Sequence, residues 1–280
     1  MLYLDGRIVD PEQARIDSRD RGFLLGDGLF ETMRAERGRV SFLDRHLDRL
    51  EAGAATLGIP LPQPRPALAA ACLEVLQANG LTNRIAAVRL TLSRGPGPRG
   101  LAPPADPAPT LLIAVAAIAE GPLAPARAVI SSIRRNEHSP LSRIKSLNYL
   151  DAVLALREAR ERGPNEALLC NTAGRLACAS AANVFLVRDG ALLTPSLGEG
   201  VLPGITRGLI LDLASELGSS AEETAIPPSA LERAEEVFLT NSLIGIRPLV
   251  AVDGHPVGRG EIGPLTKRLS ERYRQSLLRA

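Results

Sequence analysis

The sequence predicts an α+β protein with two lobes. In the first half, residues 1–44 show short apolar runs broken by turns, and helical periodicity takes over from Leu43. The second half again mixes strand-like runs with helical patterns. Between the halves, residues 119–125 (Ala-Glu-Gly-Pro-Leu-Ala-Pro) are typical of a linker. We therefore expect an N-terminal domain over residues 1–118 and a larger C-terminal domain over residues 126–280.

The helices predicted in the first half rest on local patterns. Apolar residues recur at helix spacing from Leu43 to Ala54. A second helix over residues 66–79 ends at Gly80, a residue type common at helix C-caps. The remaining runs predict strands over residues 85–93 and 110–118, which flank a proline- and glycine-rich loop over residues 95–109.

The second half predicts strands that alternate with two helices. The first of these helices begins at about Tyr149 and ends at Gly163. The second follows Thr206 and runs through Leu217. The strand-like runs cover residues 128–133, 166–171, 183–187, 191–193 and 236–240.

Composition excludes several classes of function. Across 280 residues the net charge is +2 and aromatic residues make up 3%, which leaves neither a basic excess nor stacking platforms for nucleic acid. Three cysteines without a CxxC pair and three scattered histidines argue against a disulfide framework or a metal centre. The N-terminus lacks a signal core, and no apolar run is long enough to cross a membrane, so we expect a cytoplasmic protein.

Lysine usage singles out one position. Of the 33 basic side chains only Lys145 and Lys267 are lysine. Arginine stays protonated, whereas a lysine can lose its proton and act as a nucleophile or form a Schiff base. A position that needs only positive charge would be arginine in this chain, so we expect a chemical role for Lys145; a surface lysine left by chance is the alternative. Lys267 lies in a charged helical pattern and is expected to face solvent.

The loop Gly95-Pro-Gly-Pro-Arg-Gly100 matches the spacing of the dinucleotide fingerprint GxGxxG. That motif requires the third glycine to open a helix, and the following Leu-Ala-Pro-Pro-Ala-Asp-Pro cannot propagate one. A dinucleotide site is therefore not predicted. Arg94 and Arg99 are either anion-binding residues, since a guanidinium pairs well with a carboxylate, or solvated loop residues.

A helix start at Thr206 is a better candidate for phosphate binding. Pro203 and Gly204 precede the helical pattern. A helix N-terminus presents unpaired N–H groups and a positive dipole end, to which the Thr206 hydroxyl can add. An ordinary N-cap would give the same pattern. The polar residues Thr240-Asn241-Ser242, which follow a predicted strand, either line a site or merely end that strand.

Six sequence blocks together resemble one known family. The blocks are Gly26-Asp-Gly-Leu-Phe-Glu-Thr32, His46-Leu-Asp-Arg-Leu50, Lys145-Ser-Leu-Asn148, Gly174 with Ser180-Ala-Ala-Asn183-Val-Phe185, Pro203-Gly-Ile-Thr-Arg207 and Glu236-Val-Phe-Leu-Thr-Asn-Ser242. They are similar, in order and spacing, to the class IV (fold type IV) aminotransferases, which depend on pyridoxal 5'-phosphate (PLP), and the similarity covers residues 3–250. This family includes branched-chain aminotransferases, D-amino-acid aminotransferases and 4-amino-4-deoxychorismate lyases.

The resemblance implies a two-lobed enzyme with a small α/β N-terminal domain, a larger mixed β-barrel-like C-terminal domain that carries Lys145, and PLP in the cleft. Lys145 would form the internal aldimine with PLP and then transfer protons. A homodimer with a shared active site, acting on a small-molecule amine, is also implied. The implied cofactor-binding residues are Arg49, Cys178, Ile205, Thr206, Asn241 and Ser242, and the implied substrate-binding residues are Phe30, Arg94 and Arg99.

One block departs from the family pattern. Most members carry a glutamate that bonds the pyridine nitrogen of PLP, and this chain has Cys178 in its place. A carboxylate keeps that nitrogen protonated and makes the ring a stronger electron sink, whereas a thiol cannot supply the charge. Misalignment is the other explanation. Glu166 is then the nearest candidate, but a glutamate in the Asn-Glu-Ala-Leu strand is common in the family and belongs elsewhere.

The departure at Cys178 favours a lyase. Transamination depends strongly on the electron sink, whereas loss of pyruvate from 4-amino-4-deoxychorismate is drawn forward by aromatisation to 4-aminobenzoate. The chain length and the loop from Arg94 to Gly100 also resemble the lyases. We therefore expect a PLP-dependent 4-amino-4-deoxychorismate lyase of folate biosynthesis. The nearest alternative is an aminotransferase acting on D-amino or branched-chain amino acids with 2-oxo acids. An inert PLP-binding protein, which the retention of Lys145 and Arg49 argues against, and a structural protein without cofactor are the others.

Overall fold

The computed structural model describes residues 1–121 and 123–278, which form two compact units. Unit 1 contains residues 1–121 and the short segment 144–148. Unit 2 contains the remaining described residues. Of the predicted linker, Pro122 lies outside the described residues, as do the last two residues of the predicted C-terminal domain.

Unit 1 is built on a six-stranded sheet whose pairings are antiparallel. Strand β3 (Gly28–Glu36) pairs over eight residues with β5 (Ala86–Ser93), from Gly28 opposite Ser93 to Ala35 opposite Ala86. The predicted strands over residues 85–93 and 110–118 correspond to β5 and to β6 (Thr110–Ala117). In sheet order the strands are β2 (Arg7–Val9), β1 (Leu2–Leu4), β6 (Thr110–Ala117), β5 (Ala86–Ser93), β3 (Gly28–Glu36) and β4 (Arg39–Val40).

Three helices accompany this sheet: α1 (Arg21–Leu25), α2 (Leu43–Leu57) and α3 (Arg65–Ala78). The periodicity beginning at Leu43 is confirmed, since α2 buries its apolar stripe in a core shared with β3, β5 and β6. The five-residue helix α1 was not predicted, because it is too short to show a helical period. It is fixed instead by the Asp20 carboxylate, which accepts hydrogen bonds from the N–H groups of Gly22 and Phe23.

Residues 144–148 belong with unit 1 because they pair with β3. The N–H of Phe30 donates to the carbonyl of Lys145 at 2.9 Å, and the N–H of Leu147 donates to the carbonyl of Gly28 at 3.0 Å. A β-bridge joins Leu29 and Ser146 between these two bonds. The prediction placed Lys145 in the C-terminal domain because it lies beyond the linker in sequence. The contacts instead group it with the N-terminal unit.

Unit 2 has a nine-stranded mixed sheet and three helices. The strands are β7 (Ala126–Arg135), β8 (Glu166–Asn171), β9 (Leu176–Ala179), β10 (Asn183–Arg188), β11 (Ala191–Pro195), β12 (Ala221–Thr224), β13 (Glu236–Asn241), β14 (Gly245–Val252) and β15 (His255–Pro256), and the helices are α4 (Leu150–Glu161), α5 (Ile205–Glu216) and α6 (Pro264–Leu277). The path through the sheet is β12-β11-β10-β13-β14-β7-β8-β9, and β15 pairs with β14.

The core of unit 2 centres on strands that the sequence predicted. Phe185 of β10 lies opposite Phe238 of β13, and their rings stack with centroids 5.1 Å apart. Strands β9, β12, β14 and β15 were not predicted. In β12, for example, the sequence Ala-Glu-Glu-Thr is largely exposed and offers no apolar alternation. None of the helices in the described parts of the chain has the length and apolar content needed to cross a bilayer.

A buried ionic network anchors the loop between β5 and β6. The Asp27 carboxylate accepts hydrogen bonds from Arg94 at 2.8 and 3.1 Å and from Arg21 at 2.8 Å. Arg94 also donates to the carbonyls of Leu57 and Gly58 at the end of α2. Arg21 donates to three consecutive loop carbonyls, those of residues 100–102. One carboxylate therefore holds two buried arginines, and through them a helix end and a loop.

Replacing Asp27 by Asn should destabilise the protein by about 3 kcal/mol, because two buried guanidinium groups lose their anion. Burial opposes ionisation of Asp27, but Arg94 and Arg21 outweigh it and hold its pKa below the ordinary value. Ionised Asp27 therefore adds its full share to the free energy of unfolding above its unfolded-state pKa of about 3.9. That share is lost as the pH falls through the lower pKa of Asp27 in the folded protein. Urea unfolding at several pH values measures both effects.

The control for this prediction is Asp17→Asn. Asp17 pairs with Arg19, whose side chain is 72% exposed, so the variant should unfold at nearly the wild-type urea concentration. Equal losses for the two variants would contradict the structural role given to Asp27.

Candidate functional site

Lys145 presents its amine to an aromatic face in unit 1. Its Nζ atom lies 4.2 Å from the ring centroid of Phe30, and Phe30 itself is buried. The side chain of Lys145 is half-buried, whereas Lys267 on α6 is exposed, as predicted. The hydrogen bond from the N–H of Phe30 to the carbonyl of Lys145 holds together the two backbone positions from which these side chains extend. Two residues predicted for the site from the sequence therefore lie in contact.

Arg89 is a residue of this site that sequence reasoning missed. It lies on β5 opposite Thr32, two pairs along the ladder from Phe30, and its guanidinium carbon is 3.9 Å from the Phe30 ring centroid. Arg89 is exposed while its neighbours Val88 and Leu90 are fully buried. The alternation of apolar and polar residues along this predicted strand could have revealed Arg89, since it places the arginine on the face of the sheet opposite the core.

Glu31, His46 and Arg49 form a buried cluster beside Lys145. Arg49 donates to the Glu31 carboxylate through Nε at 2.8 Å and through Nη2 at 2.7 Å. The His46 Nδ1 atom is 2.7 Å from the same carboxylate. Glu31 and His46 are each 1% exposed. Glu31 and His46 both lie in sequence blocks that resemble the family, but the sequence alone predicted no role for either residue.

The cluster has a definite charge state. Burial opposes ionisation of Glu31, yet the hydrogen bonds and charges of Arg49 and His46 hold its pKa below the ordinary value. Burial is also the main cause of the lowered pKa of His46, and the positive charges of Arg49 and Lys145 add to it. His46 is therefore neutral near pH 7 and donates its Nδ1 hydrogen to an ionised Glu31.

The two arginines predicted to bind substrate have different surroundings. Arg94 is 7% exposed, and its Nε, Nη1 and Nη2 atoms already donate to Asp27 and to main-chain carbonyls. These bonds give Arg94 a structural role and support no substrate contact. Arg99 is exposed in the loop between β5 and β6. Its substrate role stays a prediction.

In unit 2, the start of α5 has the features of an anion site. Gly204 is the N-cap and provides no side-chain cap to the helix. A Cβ at this position would come within 2.0 Å of Oδ1 of Asn183, so only glycine permits this approach. The first N–H groups of the helix, which include those of Ile205 and Thr206, have no acceptor inside the helix. Thr206 is 2% exposed.

A polar strand end lies beside the start of α5. Thr240 pairs directly with Asn183, so both side chains project from the same face of the sheet. The Thr240 hydroxyl is buried and has no hydrogen-bond partner among the described residues. Asn241 ends the strand by accepting from the N–H groups of residues 243 and 244, and Ser242 follows it, partly exposed. An unpartnered buried hydroxyl beside a helix N-terminus fits the binding of a phosphate group.

Cys178 lies on β9 opposite Leu169 of β8. Burial raises the pKa of its thiol, so Cys178 is a neutral group. Glu166 lies on β8, and its Oε1 atom accepts a hydrogen bond from the Ser180 hydroxyl at 2.5 Å and another from the N–H of Ala167 at 2.9 Å. Within residues 1–121 and 123–278, no group of three or more acidic, histidine or cysteine side chains could hold a metal ion.

Comparison with known proteins identifies the family. The profile of the class IV aminotransferases matches residues 28–252. A protein of Methanocaldococcus jannaschii, named as a candidate branched-chain-amino-acid aminotransferase, is 36% identical over 98% of this chain and 95% of its own length. The D-alanine aminotransferase of Listeria innocua is 32% identical over 100% of this chain and 96% of its own length.

Solved structures agree with this assignment. The branched-chain amino acid aminotransferase of Escherichia coli is 30% identical with a TM-score of 0.93, over 99% of this chain and 94% of that one. A Legionella pneumophila protein described as a candidate 4-amino-4-deoxychorismate lyase is 32% identical with a TM-score of 0.88, over 96% and 98%. The fold type IV architecture predicted from the sequence is thereby confirmed. This chain belongs to the class IV aminotransferase family of PLP-dependent enzymes.

Proposed function

We propose that this enzyme is an aminotransferase that transfers the amino group of a branched-chain or D-amino acid to a 2-oxo acid. The named activities of the relatives that match nearly the whole chain support this proposal. The single structural observation that carries it is the placement of the Lys145 amine, which backbone pairing holds over Phe30 in a half-buried position. We also expect a homodimer.

The proposal gives defined roles to residues of both units. PLP, when bound, supplies a carbonyl group that captures the amine and a ring that accepts electrons. Lys145 would hold the cofactor, and its amine would move a proton to and from the substrate carbon. The phosphate ligand proposed in unit 1 is the Arg49 guanidinium. The phosphate ligands proposed in unit 2 are the N–H groups at Ile205 and Thr206 and the polar end of β13 at Asn241 and Ser242. Phe30 limits the substrate space next to Lys145.

A lyase is the second candidate. The sequence favoured 4-amino-4-deoxychorismate lyase because Cys178 replaces the expected glutamate. One structural neighbour, the Legionella pneumophila protein, supports that activity. The relatives named as aminotransferases support the alternative better. The neutral thiol of Cys178 favours the lyase, since elimination depends less than transamination on a protonated cofactor ring.

Activity assays separate these functions. Purified enzyme with PLP is offered leucine, valine, isoleucine and D-alanine, each with 2-oxoglutarate, and separately 4-amino-4-deoxychorismate. We expect a 2-oxo acid from at least one amino donor, and a rate about 1000-fold lower for Lys145→Ala because the proton carrier is lost. Lys267→Ala removes the exposed lysine and should leave the rate unchanged. Formation of 4-aminobenzoate and pyruvate from 4-amino-4-deoxychorismate, with no 2-oxo acid formed from any of the four amino acids, would favour the lyase.

Restoring the carboxylate at position 178 tests the consequence of the thiol. A carboxylate there would stabilise the protonated ring nitrogen and strengthen the electron sink, so Cys178→Glu should speed the first half of transamination about tenfold. The rate is read from the loss of the PLP absorbance in a single turnover with the best amino donor. Cys72→Ser, a change at a buried thiol of α3, is the control. A rate for Cys178→Glu equal to or below that of the wild type would contradict the role assigned to this position.

A further inference from the structure

Glu31 is a buried charge to which the proposed function assigns no role. It lies on β3 between Leu29 and Met33, both of which belong to the apolar core of unit 1. Alternation along the strand places Glu31 on the same core-facing side. Removing a carboxylate from water is costly, and apolar residues of similar volume often stabilise such a position as well or better. Stability alone therefore does not explain an acid at this position.

The geometry around Glu31 fixes the orientation of one guanidinium group. Arg49 meets the carboxylate with two parallel N–H bonds, from Nε to Oε1 at 2.8 Å and from Nη2 to Oε2 at 2.7 Å. This bidentate arrangement sets the plane as well as the position of the group. His46, one turn earlier on α2, bonds Oε2 at 2.7 Å and restrains the carboxylate in turn. The Arg49 side chain is 11% exposed.

We propose that Glu31 is a positioning residue for cofactor binding, which holds the Arg49 guanidinium in the orientation that binds the phosphate of PLP. The inference rests on the proposed function, which assigns Arg49 to that phosphate. A long arginine side chain loses rotamer freedom when it binds an anion, and an arginine already held in place loses less. Glu31 acts through Arg49 and does not touch the cofactor.

The test compares two cofactor forms that differ only in the phosphate. Glu31→Asp keeps the charge but shortens the side chain by one methylene, so the carboxylate can no longer meet Arg49 and His46 together. Absorbance titration of full-length protein stripped of cofactor should show a PLP Kd about tenfold weaker than that of the wild type. The Kd for pyridoxal, which lacks the phosphate, should stay within about twofold.

A matched control separates positioning from general destabilisation. Asp20 is another carboxylate of unit 1, 2% exposed, and it accepts hydrogen bonds from the hydroxyls of Ser93 and Thr110. Asp20→Asn should lower the Tm while leaving the PLP Kd unchanged. Wild-type PLP affinity in Glu31→Asp, or equal weakening of PLP and pyridoxal, would overturn the proposal.

A second variant covers the case in which Glu31→Asp does not fold. Glu31→Gln keeps the shape but turns one acceptor oxygen into a donor facing Arg49, so the same selective loss of PLP affinity is expected. Tighter PLP binding by Glu31→Gln would mean that Glu31 only offsets the charge of Arg49, which overturns the positioning role. A wild-type protein that binds no PLP would instead defeat the proposed function itself, whereas unaltered variants beside a PLP-binding wild type would defeat this inference alone.

Discussion

Backbone pairing between residues 144–148 and β3 is the constraint on which the site depends. Two main-chain hydrogen bonds and one β-bridge attach this segment to the start of β3. The Lys145 side chain then projects over the ring of Phe30, whose own N–H makes one of the two bonds. The flexible side chain of Lys145 thus extends from a fixed backbone, which places its amine beside Phe30.

Two carboxylates of unit 1, those of Asp27 and Glu31, have different structural roles. Asp27 joins two arginines to a helix end and to the loop beyond β5, and so maintains the shape of the unit. Glu31 orients Arg49 and accepts a hydrogen bond from neutral His46. Both carboxylates keep lowered pKa values in spite of burial, because arginine donors outweigh the loss of water.

The sequence predicted the parts of this molecule that depend on periodicity or on residue chemistry. Helix α2, strand β5 and the singular position of Lys145 follow from local patterns. The grouping of Lys145 with unit 1 could not be predicted, since it arises from pairing between residues more than a hundred positions apart. The structural role of Arg94 was hidden for the same reason: its partner Asp27 lies 67 positions away. Burial of Glu31 among apolar side chains likewise appears only in the folded chain.

Chemical trapping of the cofactor tests whether Lys145 bonds PLP. Borohydride reduces a lysine–PLP imine to a stable secondary amine, and peptide mapping by mass spectrometry then locates the pyridoxyl group. We expect one adduct, on the peptide that contains Lys145, with Lys267 unmodified. An adduct at another residue, or none in protein saturated with PLP, would contradict it.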